Sequence, residues 1–248
     1  MRLDVLFSPR ELAPGELTDR AVLVIDVLRA TSTMCAALFH GARAVLPTAD
    51  AAGAMALAEL LGSEDVVLAG ERNCVRIAGF QLGNSPSEMV DSVVRGKNVV
   101  MSTTNGTGAL LATAGAREVA VVAAVNLTAA ADHARHLLAD GDDLVILCAG
   151  REHGFGLDDA YIAGCVAVRA LGGRRRRKGL NDGALAAVDL EGHYGDRTER
   201  VLALSRAGRE LDARGFRQDV RDAAQVDRFP VLPFFHDRRV TLTRPASR

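Results

Sequence analysis

The feature of this sequence that most restricts its fold is the alternation of apolar, valine-rich runs with stretches of helical period. The apolar runs are mostly continuous, which is typical of strands that are buried on both faces of a sheet. The predicted strands are LDVLF from Leu3, AVLVIDVL from Ala21, ARAVLP from Ala42, DVVLAG from Asp65, NVVMST from Asn98, EVAVVAAV from Glu118 and DLVILCAG from Asp143. We therefore predict an α/β fold, a three-layer α/β/α arrangement with a mainly parallel sheet and helices on both faces.

Helices are predicted between these strands, where apolar residues recur at helical spacing. Their predicted ranges are residues 31–40, 50–61, 85–94, 106–114, 128–140 and 158–171. After Leu171 a basic, glycine-flanked stretch is predicted to be an exposed connection, followed by helices at 184–190 and 198–214 and a strand at 239–243. Residues 1–248 are predicted to form a single domain, whose C-terminal part, about 173–248, packs onto the main sheet.

Charge and composition argue against several classes of partner. The 248 residues carry a formal net charge of -1, and only 4% of them are aromatic. A near-neutral chain with few aromatic residues lacks the features of a nucleic-acid-binding protein, so we expect no nucleic-acid partner. No stretch approaches the roughly 20 apolar residues of a membrane span, so we expect no membrane partner, and we expect a cytoplasmic location.

Ligands of open α/β sheets bind outside the carboxyl ends of the strands, so the polar residues that follow the strands are the candidate site. The first such stretch is VIDVLRATST, in which Asp26 lies within an apolar strand and Arg29 follows. A buried carboxylate is costly without a partner or a metal. Asp26 therefore either pairs with Arg29 or caps the next helix, or it has a catalytic or metal-binding role, and the residues favour neither alternative.

The second stretch is LAGERNCVRIAGFQLGNSPSEM, in which Glu71 and Arg72 end a strand. Ser85, the proline after it and Glu88 have the spacing of a helix N-terminus with a capping box. That interpretation accounts for Ser85 and Glu88. It does not account for the Glu71–Arg72 pair or for Asn84, which remain candidates for binding.

The third stretch is MSTTNGTGAL, where a strand passes into a helix through a run of small, mostly polar residues. Unpaired N–H groups and a partial positive charge at a helix N-terminus suit an anion, and Gly106 and Gly108 allow close approach to the backbone. A simple helix cap by Thr104 or Asn105 is the alternative. Because a cap needs one such residue and not six, we favour an anion site.

The fourth stretch is LCAGREHGFGLDDAYIAG, where Arg151 follows a strand and Asp158 and Asp159 begin a helix. Carboxylates in the first turn of a helix are favourable for dipole reasons alone, and His153 is interpreted as a loop residue. The chain has no GxxxxGK[ST] loop and no GxGxxG motif. The DxDx[TV] signature of haloacid-dehalogenase-type phosphatases also fails, because its second aspartate is replaced by Leu28.

Together these stretches resemble one family, the 2-phosphosulfolactate phosphatases or ComB family. The matching segments, in order, are DVLRATST, GERN followed by GFQLGNSPSE, STTNGTGAL, CAGREHGFGLDDAYIAG and the C-terminal SRAGRELDARGFRQDVRDAAQVDRFPVLP. Departures are small: Ser32 stands where the family commonly has Thr, and LDD where LED is more usual. The resemblance implies a Mg²⁺-dependent hydrolase that removes phosphate from (2R)-O-phospho-3-sulfolactate, a step that lies on the route to coenzyme M in methanogens.

Mg²⁺ prefers oxygen ligands and takes only one or two carboxylates from a protein. We expect these ligands to come from Asp26, Glu71 and Asp159, and we expect arginine guanidinium groups to clamp phosphate or sulfonate. The predicted catalytic residues are Asp26, Arg29, Glu71 and Arg72. The predicted substrate-binding residues are Asn84, Ser85, Thr103, Thr104, Asn105, Gly106, Thr107 and Arg151.

Three alternatives stay open at this point. One is a phosphatase that acts on another small phosphorylated acid, and another is a homologue that binds a small anion without turning it over. A haloacid-dehalogenase-type enzyme is the third, with the missing second aspartate against it. The expected partner in each case is a small anionic, phosphorylated substrate, and whether the chain forms a homo-oligomer is not readable from the residues.

Overall fold

The computed structural model describes residues 2–151, 154–173 and 178–245. In that part of the chain ten strands form one sheet. The strands are β1 (Leu3–Leu6), β2 (Ala21–Ile25), β3 (Ala44–Pro47), β4 (Val66–Arg72), β5 (Val75–Arg76), β6 (Asn98–Ser102), β7 (Glu118–Val122), β8 (Leu144–Cys148), β9 (Phe234–His236) and β10 (Arg239–Thr241). Their order across the sheet is β1-β8-β2-β7-β9-β10-β3-β6-β4-β5.

The sheet consists of two parallel blocks joined by a hairpin. Strands β1, β8, β2 and β7 pair in parallel, as do β3, β6 and β4. The antiparallel hairpin of β9 and β10 lies between the blocks, pairing Phe234 with Ala120 and Val240 with Val45. The predicted α/β fold with a mainly parallel sheet is confirmed, whereas the short strands β5 and β9 were not predicted.

Ten helices are described along with the strands. They are α1 (Ala30–Phe39), α2 (Ala51–Leu61), α3 (Asp91–Val94), α4 (Gly106–Leu111), α5 (Leu127–Ala139), α6 (Leu157–Ala170), α7 (Asp182–Tyr194), α8 (Thr198–Leu204), α9 (Arg206–Ala213) and α10 (Arg217–Ala223). Helices α5, α6 and α7 pack against one another in turn, and α7 also contacts β1. None of the described helices is both long enough and apolar enough to cross a membrane.

Two of the helix predictions are wrong. The predicted helix at 85–94 is a 3₁₀ turn at Pro86–Glu88 followed by the short α3. The predicted helix at 198–214 is divided into α8 and α9 at Ser205, whose hydroxyl accepts a hydrogen bond from the Gly208 N–H at 2.9 Å and caps α9. Helix α10 has no counterpart among the predictions.

The core follows the apolar runs of the sequence. Every residue of β2, β7 and β8 is buried, as continuous apolar strands predict. The C-terminal elements add α7 on one side of the sheet's first strand and the β9–β10 hairpin within the sheet. The basic run at 174–177 and His153 lie outside the described residues.

Candidate active site

A pocket lies where β2, β4, β6 and β8 end, and we call it the strand-end pocket. The predicted site residues that line it are Asp26, Arg29, Glu71, Asn84, Thr104, Asn105 and Arg151. The remaining lining residues, which were not predicted, are Leu28, Asn73, Cys74, Ala207 and Leu211. The pocket is therefore at the carboxyl ends of the strands, where the fold class predicts a ligand.

Asp26 is the first residue after β2 and is 7% exposed. Its Oδ1 atom accepts a hydrogen bond from the backbone N–H of Ala30, at the start of α1, at 3.3 Å. The pKa of Asp26 is raised to about 7, first by burial and then by the nearby carboxylates of Asp158 and Glu71, against the opposing Ala30 N–H and the charge of Arg29. The pocket thus holds a carboxylate whose ionised form lacks full compensation.

Asp158 and Asp159 lie behind this carboxylate. Burial raises the pKa of Asp158 to about 6, and burial with the charges of Asp158 and Asp26 raises the pKa of Asp159 well above its usual range. The two oxygens of Asp159 accept hydrogen bonds from the backbone N–H groups of Val27, at 2.9 Å, and Gly150, at 3.1 Å. Asp159, predicted as a metal ligand, therefore ties the end of β2 to the end of β8 and does not line the pocket.

Glu71 and Arg72 point in different directions. The Glu71 carboxylate accepts hydrogen bonds from the backbone N–H groups of Cys74 and Thr104, each at 2.8 Å, and it faces the pocket. Arg72 donates to the Glu71 carbonyl at 2.7 Å and to the Ser102 hydroxyl at 2.8 Å. Successive side chains of a strand lie on opposite faces. Arg72 is accordingly outside the pocket lining, unlike the predicted site residues named above.

The turn before α4 divides its residues between two roles. Thr104 and Asn105 line the pocket. Thr103 and Thr107 instead bond to each other: the Thr107 N–H donates to Thr103 Oγ1 at 3.1 Å, and Thr107 Oγ1 donates to the Thr103 carbonyl at 3.2 Å. Of the predicted anion-binding run, Thr104 and Asn105 therefore reach the pocket lining, while the two buried threonines bond to each other at the start of α4.

Gly106 provides room for a protein carboxylate. A Cβ atom at this position would lie 2.4 Å from the Cβ of Ala30 and 2.6 Å from Asp26 Oδ2. Such distances are far shorter than a van der Waals contact, so only glycine fits. We predicted that Gly106 lets a ligand approach the backbone closely. In the structure the group that approaches the Gly106 backbone is the Asp26 side chain.

The residues before the 3₁₀ turn also differ in role. Asn84 is 4% exposed, lines the pocket, and its Oδ1 atom has no hydrogen-bond partner among the described residues. Ser85 lies outside the lining and donates to Asp219 Oδ2 at 2.7 Å. The predicted capping box does not form, because Glu88 accepts from the Gly83 N–H at 2.7 Å and Ser85 makes no side-chain cap.

Two guanidinium groups face the pocket. Arg29 does not pair with Asp26; its Nη1 lies 2.5 Å from Asp219 Oδ2. Arg151 forms an ion pair with Glu210, and its Nε is buried without an acceptor in the described part of the chain. Glu210 and Asp219 belong to α9 and α10, in the C-terminal segment that matches the family but for which the sequence predicted no site residue.

Comparison with known proteins identifies the family. Residues 6–238 match the family model described as 2-phosphosulpholactate phosphatase. The chain belongs to this family. A relative from Deinococcus radiodurans is 41% identical over 226 residues, covering 90% of each chain, and one from Thermus thermophilus is 40% identical over 241 residues, covering 96% of this chain and 95% of its own. Both are described as probable 2-phosphosulfolactate phosphatases.

Membership in the 2-phosphosulfolactate phosphatase family confirms the resemblance found in the sequence motifs. It confirms the predicted class of enzyme, a phosphoric monoester hydrolase, at the level of the family, and it implies a small phosphorylated substrate. The alternative of a haloacid-dehalogenase-type enzyme receives no support from these matches. The strand-end pocket, with carboxylate, amide and guanidinium groups in its lining, is the candidate site for this class of reaction.

Proposed function

We propose that this chain hydrolyses the phosphate monoester of 2-phospho-3-sulfolactate to sulfolactate and phosphate in the strand-end pocket, with Mg²⁺ as cofactor. The observation that carries the proposal is the buried Nε of Arg151, which has no acceptor among the described residues in a pocket that also holds the Asp26 carboxylate. A buried donor without an acceptor costs free energy that an anionic ligand would recover.

The donor groups of the pocket fit a magnesium ion. Asp26 supplies a buried carboxylate with excess negative charge around it, and Asn84 supplies a buried amide oxygen without a partner in the described chain. Carboxylate and amide oxygens are hard donors that suit Mg²⁺, which usually keeps several waters and takes few protein ligands. No group of three or more His, Cys, Asp or Glu side chains is placed for a metal in the described chain, and Mg²⁺ does not need one.

Asp26 and Asn84 would therefore hold the ion. A bound Mg²⁺ supplies charge neutralisation for the transferring phosphoryl group. Glu71 has a separate role: its two bonds to the Cys74 and Thr104 N–H groups fix the turns on which Cys74, Thr104 and Asn105 reach the lining. We propose Glu71 as a support for these turns more than as a ligand, because both of its oxygens already accept hydrogen bonds.

The chain's own cations bind and orient the substrate in this proposal. Arg151 donates to one anionic group, and Arg29 lines the same pocket near the C-terminal helices. Thr104 and Asn105 add neutral donors, and Leu28, Ala207 and Leu211 form an apolar part of the wall. A substrate with phosphate, carboxylate and sulfonate on three carbons has enough anionic groups for all of these donors.

A phosphate-release assay tests the proposal. We expect the purified protein to release phosphate from 2-phospho-3-sulfolactate when Mg²⁺ is present. We expect Arg151→Gln to lower kcat/KM by roughly 100-fold, because a charge-assisted contact to an anionic group of the substrate is lost. Wild-type protein that binds the substrate without releasing phosphate would instead support a non-catalytic binding role. Faster release from another phosphorylated acid would correct the substrate and keep the reaction.

A further inference from the structure

Both arginines of the strand-end pocket are paired with carboxylates from the C-terminal helices. Arg29, just before α1, pairs with Asp219 of α10 at 2.5 Å, and Arg151, just after β8, pairs with Glu210 of α9. Neither acid lines the pocket. Helices α9 and α10 therefore contact the candidate site through two carboxylates that pair with its arginines but do not line the pocket.

The Arg29 guanidinium is held on several sides. Its Nη1 donates to Asp219 Oδ2 at 2.5 Å and to Ser85 Oγ at 3.3 Å, and its Nη2 donates to the Cys74 carbonyl at 3.1 Å. The Cζ atom lies 4.7 Å from the centroid of the Phe216 ring. Three of the five guanidinium N–H donors are thus used by the protein, and the group is fixed in one orientation.

Asp219 is the centre of this arrangement. Its Oδ2 atom accepts from both Arg29 and Ser85, so one carboxylate oxygen sets the relative position of the two side chains. The side chains of Arg29 and Asp219 are 3% and 5% exposed, so water does not replace either partner. A buried arginine that loses such a partner must find another orientation or another acceptor.

We infer that Asp219 is a positioning residue for the phosphatase reaction. It orients the Arg29 guanidinium so that the N–H donors not used by the protein meet an anionic group of the substrate. The inference rests on the proposed function, since it assigns Arg29 to substrate binding. If Asp219 has this role, α10 is a required part of the active site, although it lies outside the four stretches at the strand ends.

The chain provides a matched control for this inference. Asp222 lies one turn further along α10, is 5% exposed, and pairs with Arg228 at 2.7 Å. Neither Asp222 nor Arg228 lines the strand-end pocket. Replacing Asp222 therefore removes a buried carboxylate and an ion pair from the same helix without disturbing Arg29.

The first experiment compares Asp219→Ala with Asp222→Ala in the phosphate-release assay, with the melting temperature of each variant measured alongside. We expect Asp219→Ala to lower kcat/KM by roughly 30-fold or more, because a small displacement of a substrate-binding group has a large effect on rate. We expect Asp222→Ala to stay within about 3-fold of the wild type at a similar loss of thermal stability. Equal activity losses in the two folded variants would overturn the inference and leave Asp219 a structural residue.

The second experiment tests whether Asp219 acts through Arg29. We expect Arg29→Ala with Asp219→Ala to be no less active than Arg29→Ala alone, since Asp219 has nothing left to position. Losses that multiply would overturn the inference.

If Asp219→Ala does not fold, Asp219→Asn takes its place, because its amide oxygen still accepts from Arg29. We expect about 5-fold to 10-fold lower kcat/KM for Asp219→Asn, again without further loss in the Arg29→Ala background, and wild-type values would overturn the inference.

These outcomes are separate from a failure of the proposed function. Wild-type protein that releases no phosphate from the substrate refutes the proposed function before any variant is made. Active wild-type protein with an equally active Asp219→Ala variant refutes only the positioning role. The comparison therefore identifies which of the two statements is wrong.

Discussion

The carboxylate of Asp26 lies so close to the backbone of Gly106 that a Cβ atom at position 106 would be 2.6 Å from Asp26 Oδ2. The start of α4 therefore packs against the end of β2 at Asp26, the carboxylate on which the proposed reaction is centred. This contact also explains why a glycine stands at the first position of α4.

Replacing Gly106 with alanine is predicted to displace Asp26 and to lower both activity and stability. We expect kcat to fall by roughly 100-fold and the free energy of unfolding to fall by about 1–3 kcal/mol, as overpacking in a dense interior does. The matched control is Gly108→Ala in the same helix, where a Cβ atom has no neighbour within 4 Å. Activity assays and thermal melts of both variants check this, and an active Gly106→Ala protein would contradict the placement of Asp26.

The stability of the metal-free protein should fall as the pH rises from 5.5 to 8. The pKa of Asp26 is raised from 3.8 to about 7 in the folded state, and that of Asp158 from 3.8 to about 6. A raised folded-state pKa contributes stability at low pH that is lost as the pH rises through the folded value. We therefore expect metal-free protein to be more stable at pH 5.5 than at pH 8, by about 1–3 kcal/mol.

Denaturant unfolding at the two pH values, in the presence of a chelator, measures this difference. Asp26→Asn should be more stable than the wild type at pH 8 and should show a smaller difference between the two pH values. Addition of Mg²⁺ at pH 8 should stabilise the wild type and not Asp26→Asn, because the ion compensates the buried charge. A metal-free wild type that is more stable at pH 8 would contradict the raised pKa values.

Arg72 and Arg151 provide a test of which cation faces the substrate. Arg151 lines the pocket, whereas Arg72 bonds to Ser102 on the other face of β4. We expect Arg151→Ala to lower kcat/KM by roughly 100-fold and Arg72→Ala to lower it by less than about 5-fold. Near-equal losses in two folded variants would show that Arg72 moves into the pocket when substrate binds.

Specificity is predicted to depend on the same guanidinium groups. A site with several cations leaves some of them unpaired when the substrate lacks one anion, and unpaired buried groups are costly. We expect kcat/KM for phosphosulfolactate to exceed that for phospholactate, which lacks the sulfonate, by roughly 100-fold. Arg29→Ala or Arg151→Ala should reduce that ratio, and the larger reduction identifies the sulfonate contact. Equal efficiency with the two substrates would mean that the substrate class is wrong.

The residues at the strand ends could be predicted from the sequence because a continuous apolar run marks each strand. Glu71 and Arg151 stand directly after such runs, Asp26 lies near the end of one, and all three line the pocket. Arg72 could not be placed in the same way, since the end of a run does not say which face of the strand a residue occupies. That choice depends on the pairing of β4 with β6, which no local pattern encodes.

The contribution of the C-terminal helices was not predictable from local signals. Arg29 and Asp219 are 190 positions apart, and nothing near either residue indicates the other. The division of the helix at 198–214 depends on the Ser205 hydroxyl, which bonds to the Gly208 N–H, within a stretch of otherwise helical composition. Without that break, α9 and α10 would not be expected to turn toward the pocket and bring Leu211 into its lining.

The most direct test of the central claim is phosphate release from 2-phospho-3-sulfolactate by wild-type protein and by Asp26→Asn, each after exhaustive chelation and again after addition of Mg²⁺. We predict that chelated wild type is inactive and recovers with Mg²⁺. We predict that Asp26→Asn stays folded and remains at least about 100-fold less active in kcat under both conditions. Full activity of the chelated wild type, or near-wild-type turnover by folded Asp26→Asn, would contradict a metal-dependent reaction centred on Asp26.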